Sequence, residues 1–321
     1  MPYMASFYAY SLVDQRALNW VDRLQWAQTG EAVWVHIDYS NGEMQRWLQE
    51  EVGLDPLVVD ALIMEDTRPR VTTIGTGMLI VLRGVNLNEG ADPEDMVAIR
   101  LWIDAGRVIS TSKRALRSVA DIARTLDQGE GPHDTSTLLA HLLDRLIDRM
   151  ANLVDAFEDE LDVLEDRVLA HDVDAEVRLH LAELRRRVIT TRRYLAPERD
   201  ALERLTMEPH GWLMEGNRMH IREIANHLVR YVEALDTVRD RAMVTHEELQ
   251  SRLSEQMNMR MYTLTIVAAV FLPLGFLTGL FGVNVGGIPM AENSWGFTIF
   301  VVGMLLLFGL QLFYFYRKRW F

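Results

Sequence analysis

The sequence predicts an α+β membrane protein. An N-terminal α/β domain is followed by a long helical stalk, continuous with the first of two C-terminal transmembrane helices. Three observations predict it. First, the charge is segregated. The 321 residues carry 33 Lys and Arg against 46 Asp and Glu, a net charge of −13. Residues 261–321 hold only Arg317, Lys318, Arg319 and Glu292, a net of +2, so −15 falls on the rest. Second, two stretches of that tail are long and uncharged. Third, a heptad seam precedes them, with no Gly or Pro between Asn217 and Pro273. Four segments follow: an α/β domain over 1–130, a helical hairpin over 131–216, a stalk over 217–260 and a transmembrane hairpin over 261–321.

In the first segment, β-branched and aromatic residues cluster in short runs that predict strands at Ser6–Tyr10, Ala32–Ile37, Met78–Leu82, Val97–Ile103 and Arg107–Thr111. Helical periodicity marks Arg16–Gln28, Met44–Glu51 and Ala115–Leu126. The helices are expected outside a sheet. Gly75-Thr76-Gly77 lacks the spacing and the following Lys of a phosphate loop. No HExxH and no Ser/His/Asp arrangement is visible, so an enzyme is not expected. The absence of cysteine removes disulfides, thiolate metal sites and cysteine nucleophiles. The acidic balance argues against a nucleic-acid partner, which requires clustered positive charge.

From Thr135 the pattern is helical. Ser136 or Thr137 is placed to cap a helix through Leu138 to Ala170, and a second helix runs from Ala175 to Leu205. Between Asp144 and Glu176 stand twelve acids and three arginines, whereas Arg185-Arg186-Arg187 and Arg192-Arg193 make the second helix basic. Two readings stay open: a hairpin of complementary charge, or a fixed negative field that concentrates cations. After Pro209 and Gly211, Ile221, Ile224, Leu228, Tyr231, Leu235, Val238, Ala242, Thr245 and Leu249 alternate steps of three and four. That seam is expected to pack against partner helices.

Met261–Phe281 carries no charge and spans ~30 Å as a helix, the hydrocarbon thickness of a bilayer. Trp295–Tyr316 is also long enough. Arg252 and Arg260 precede the first span and Arg317-Lys318-Arg319 follow the second, while the loop between has no basic residue. The positive-inside rule then puts both termini in the cytoplasm of a bacterial inner membrane, with the loop outside. No secretory signal is expected at the N-terminus. Two helices cannot enclose a pore, so solute passage needs several copies. Gly275-Phe-Leu-Thr-Gly279, with Gly282 three residues on, permits close helix approach.

The run from Thr265 through Phe271-Leu272-Pro273-Leu274 to Gly282-Val283-Asn284 resembles the first membrane helix and Gly-x-Asn signature of the CorA superfamily of divalent-cation transporters. Glu65-Asp66-Thr67-Arg68-Pro69-Arg70 resembles a stretch of that family's cytoplasmic domain. Gly282-Val283-Asn284 departs from Gly-Met-Asn, and Val285-Gly-Gly-Ile-Pro289 is similar to the zinc-transporting ZntB branch. The resemblance implies a homopentamer in the lipid bilayer with the first spans lining the pore. It further implies proton-driven zinc uptake, with Zn²⁺ as cargo and no resident cofactor. Magnesium, cobalt or nickel transport is the alternative within the family. A membrane-anchored metal sensor or scaffold is the alternative outside it.

The pore positions follow from the helix. With no His or Cys after His246, a divalent ion must cross largely hydrated. A ring of Asn284 amides at the mouth, next to Gly282 and Val283, offers contacts strong enough to enter and weak enough to leave. Steps of three and four back along that face reach Leu272, Thr265, Met261 and Asn258, of which the apolar rings form a constriction. Glu292 in a single loop is a solvated acid, but in a symmetric ring several copies would make a negative collar that attracts divalent cations. In the stalk, His220, Glu223 and His227 share one face and offer zinc ligands for a sensing site, and Glu247 and Glu248 offer a carboxylate ring.

Overall fold

Seven strands form one sheet in the order β2-β1-β3-β7-β6-β5-β4: β1 (Phe7–Ser11), β2 (Arg16–Ala17), β3 (Val33–Asp38), β4 (Arg70–Ile74), β5 (Gly77–Gly84), β6 (Val97–Ile103) and β7 (Arg107–Ser112). The computed structural model describes residues 7–22, 31–65, 67–170, 175–207, 210–283 and 293–318. Only β3 and β7 run parallel, with Val33 opposite Arg107, and every other pair is antiparallel. The five expected strands are all present, although Ser6 lies outside the described residues. β2 is only two residues long and exposed, whereas β4, β-branched from Val71 to Ile74, is an edge strand that is not among the expected five.

Helices α1 (Gly42–Glu50) and α2 (Pro56–Ile63) bury Trp47, Leu48, Val58 and Leu62 against Val35, Ile37, Leu79 and Ile109 of the sheet. Asn41 caps α1 through the N–H groups of Glu43 and Met44. Asp55 caps α2, with Pro56 at its first turn, a start signal that apolar periodicity does not carry. The expected helix from Arg16 is corrected. Gln15 takes a left-handed conformation (φ 51°) and turns the chain into the β1–β2 hairpin, and a single 3₁₀ turn follows at Trp20–Asp22. Residues 23–28 of that helix lie outside the described residues. Gly75-Thr76 is the two-residue turn between β4 and β5.

The remaining helices are α3 (Arg117–Asp127), α4 (Thr135–Leu169), α5 (Ala175–Met207), α6 (Glu215–Phe281) and α7 (Gly296–Arg317). α4 and α5 pack on β5, and α5 also on β4. Gly84 lets α4 approach closely, since a Cβ there would lie 2.7 Å from Leu146 Cδ2 and 2.9 Å from Leu116 Cδ2. The α4 cap is corrected. Asp134 accepts the Thr137 N–H, whereas Ser136 Oγ accepts hydrogen bonds from the Met214 N–H and Asn217 Nδ2. Ser136 thereby ties the start of α4 to the start of α6. The chain divides into two compact units, Met1–His246 and Glu247–Phe321.

Candidate functional site

α6 is 67 residues long and carries the candidate stalk and the first candidate span, while α7 is 22 residues long; both are apolar enough over one stretch to cross a membrane. The expected role of the heptad seam is corrected. Ile221, Ile224, Leu228, Leu235, Val238 and Ala242 are buried within the single chain, so this stripe supports the chain's own packing. Ion pairs fasten α6 on both sides. Arg192 of α5 meets Asp236, and Arg241 meets Asp162 and Glu165 of α4.

Those pairs bear on the acidic hairpin. Glu160 accepts from Arg187, while Asp162 and Glu165 accept from Arg241. Complementary charge between helices therefore accounts for part of the acidic run, as the first of the two open readings expects.

In the span, Met261 is 63% and Leu272 70% exposed in the single chain, and Thr265 is exposed as well, as is Asn258 at the end of the stalk. Their spacing keeps the four on one face of α6. The Thr265 hydroxyl donates to the Met261 carbonyl at 2.8 Å, and its oxygen keeps the capacity to accept. α6 ends at Phe281, and the Gly282 N–H donates to the carbonyls of Thr278 (2.9 Å) and Gly279 (3.2 Å). Val283 is exposed beyond it. Asn284 and Glu292 lie outside the described residues. Phe281 of α6 and Phe300 of α7 meet with ring centroids 5.2 Å apart.

The stalk residues do not converge within one chain. His220 Nε2 lies 3.5 Å from Asp144 Oδ1 of α4, the His227 ring stands edge-on to Tyr231, and Glu223 is exposed. Glu247 is exposed, and Glu248 Oε1 accepts from Arg252 Nε at 2.5 Å. Among the described residues, no three His, Asp or Glu side chains are gathered closely enough to hold a metal ion.

An α/β domain is thus followed by two helices apolar enough to cross a membrane. The family model described as "CorA-like Mg2+ transporter protein" matches residues 29–318. The chain belongs to the CorA-like family. It is thus a membrane transporter and not an enzyme.

Within that family, the chain is 41% identical over 294 residues to the divalent cation transporter CmaX of Pseudomonas aeruginosa, covering 90% of this chain and 88% of CmaX. It is 38% identical over 287 residues to the zinc transport protein ZntB of Cronobacter sakazakii, covering 89% and 87%. The structure of full-length CmaX superposes with a TM-score of 0.82 at 38% identity, over 98% of this chain and 97% of that one. The CorA magnesium transporter of Methanocaldococcus jannaschii superposes with a TM-score of 0.84 over 99% of both chains; at 19% identity it establishes the fold alone.

Proposed function

We propose that the chain carries zinc into the cytoplasm across the bacterial inner membrane, driven by the proton gradient, through a homopentameric pore lined by the first spans. The observation that carries this reading is α6. One helix presents Asn258, Met261, Thr265 and Leu272 on a single face and ends at the Gly282-Val283-Asn284 tripeptide. Neutral groups on that face suit a hydrated divalent ion, because they can contact its water shell without trapping it. Two spans per chain cannot enclose a channel, which supports assembly of several copies. The basic residues flanking both spans support cytoplasmic termini, with Glu292 on the outer side collecting cations.

Zinc is favoured by the similarity to ZntB and by Val285-Gly-Gly-Ile-Pro289 after the tripeptide. A broader divalent range is the second reading, favoured by the higher identity to a protein named only as a divalent cation transporter. Accumulation of ⁶⁵Zn²⁺ by cells expressing the chain, with unlabelled Zn²⁺, Mg²⁺ and Co²⁺ as competitors, separates the two. Selective zinc transport requires that Zn²⁺ compete and Mg²⁺ fail to. Equal competition by all three contradicts zinc selectivity.

A further inference from the structure

Glu198 sits on α5 directly after Pro197, and its side chain is fully buried. The sheet edge explains its position. β4 begins at Arg70, opposite Val81, while β5 continues to Gly84. Arg83 still pairs with Ala98 of β6, but it has no β4 residue on its other side. Its backbone N–H donates instead to Glu198 Oε1 at 3.2 Å. A helix carboxyl thus stands in for the missing strand, where an unpaired buried N–H would be costly.

The second oxygen, Oε2, is buried with no hydrogen-bond partner among the described residues. Among the described residues, no Lys, Arg or His forms an ion pair with the carboxyl. The Arg83 guanidinium donates to the Met96 and Thr67 carbonyls, at 3.1 and 2.7 Å, and lies 4.5 Å over the Tyr194 ring. Arg83 supplies the charge felt at the carboxyl. The other charged groups on the surrounding elements are placed elsewhere. Arg70 of β4 lines a small cavity beside Pro197 with Asp200 and Arg204 of α5. Glu160 of α4 and Glu94 face Arg187, and Asp236 of α6 is held by Arg192. A carboxyl so enclosed is stable as the neutral acid, because burial disfavours the charged form. Burial pushes its pKa up to about 8, against a smaller downward pull from the Arg83 N–H and guanidinium.

We propose that Glu198 is a proton-binding site in the soluble unit: its neutral carboxyl seats α5 at the β4 end of the sheet, and loss of the proton unseats that helix. The effect has a route to α6, because Arg192, less than two turns earlier on α5, holds Asp236. Its consequence for transport rests on the proposed function, whereas the protonation itself does not. The first span between Arg260 and Phe281 contains no Asp, Glu or His. A proton effect on activity would then include regulation from outside the span.

The full-length protein in detergent tests this by infrared spectroscopy and thermal unfolding. The wild type should show a protonated-carboxyl band at pH 6.5 that is lost above pH 9 and is missing from E198Q, which keeps an acceptor for Arg83. A raised pKa means the folded state holds a proton that the unfolded state has released. The folding constant of the wild type should therefore fall by up to about tenfold per pH unit between the ordinary carboxylate range and about 8. E198Q should lose that slope and melt above the wild type at pH 8. Should E198Q fail to fold, E198M, similar in size, serves for the same comparison. A wild type without that band, or a folded variant that keeps the slope, overturns the proposal. Absence of zinc flux would sink the transport reading and leave these two results standing.

Discussion

Arg192 and Asp236 join α5 to α6 through two parallel hydrogen bonds, from Nε to Oδ1 at 2.6 Å and from Nη2 to Oδ2 at 3.0 Å. This geometry fixes direction as well as charge, and a lysine could not reproduce it. Asp236 also faces Arg239 at 2.9 Å, one turn on.

Replacing Arg192 by Ala should lower the stability of the N-terminal unit by about 1 kcal/mol, the range for a part-exposed bidentate pair. A double-mutant cycle with Asp236→Ala, followed by denaturant unfolding, isolates the pair. Additive single effects would show that the pair contributes nothing of its own.

The same pair carries a pH signature. The Arg192 hydrogen bond, with the nearby Arg192 and Arg239 charges, holds the Asp236 carboxyl below the usual carboxylate range. Its stabilisation is present above the unfolded carboxylate pKa and is lost as pH falls through the depressed folded value. Asp236→Asn should therefore cost stability at pH 7 and cost less in strong acid, as read from thermal midpoints across pH. A penalty independent of pH would place the effect in shape alone.

Gly84→Val should destabilise the N-terminal unit by roughly 1–3 kcal/mol, because even a Cβ meets Leu146 and Leu116 at 2.7 and 2.9 Å. Equilibrium unfolding measures this, and Leu146→Ala in the same chain should recover part of the loss. No recovery would place the strain at Leu116 or in the backbone.

Much of this molecule was legible because its physics is local. Two uncharged runs of bilayer length, a breaker-free stalk and five strands of β-branched residues announce themselves within short windows. The failures are tertiary. The seam from Ile221 to Ala242 has a coiled-coil period, and periodicity cannot say whether the covering helix belongs to the same chain. Asp134 won the α4 cap over Ser136 and Thr137 because Ser136 is engaged by Met214 and Asn217, 78 and 81 residues away in sequence. Glu198 reads as one more helix acid. Its partner, the Arg83 N–H, becomes available because β4 starts at Arg70, and no local signal records that. His220 meets Asp144 and not Glu223, since side chains on one helix face compete with those of the helix beside it.

Proton coupling has its own test. If carboxylates flanking the spans carry the proton dependence, Glu292→Gln on one side, or Glu247→Gln with Glu248→Gln on the other, should flatten the pH dependence of flux. A wild-type pH profile in all these variants would exclude side-chain coupling at both ends.

We propose that divalent ions pass through a pore whose mouth is a ring of Asn284 amides. It is tested most directly by reconstituting wild type and Asn284→Ala in liposomes loaded with a zinc-sensitive dye, with and without an acidic exterior. Zinc should enter through the wild type, faster with the gradient, and should fail to enter through Asn284→Ala, although native mass spectrometry shows the same oligomer for both. Equal zinc entry through both proteins, or none above protein-free liposomes, would contradict the account.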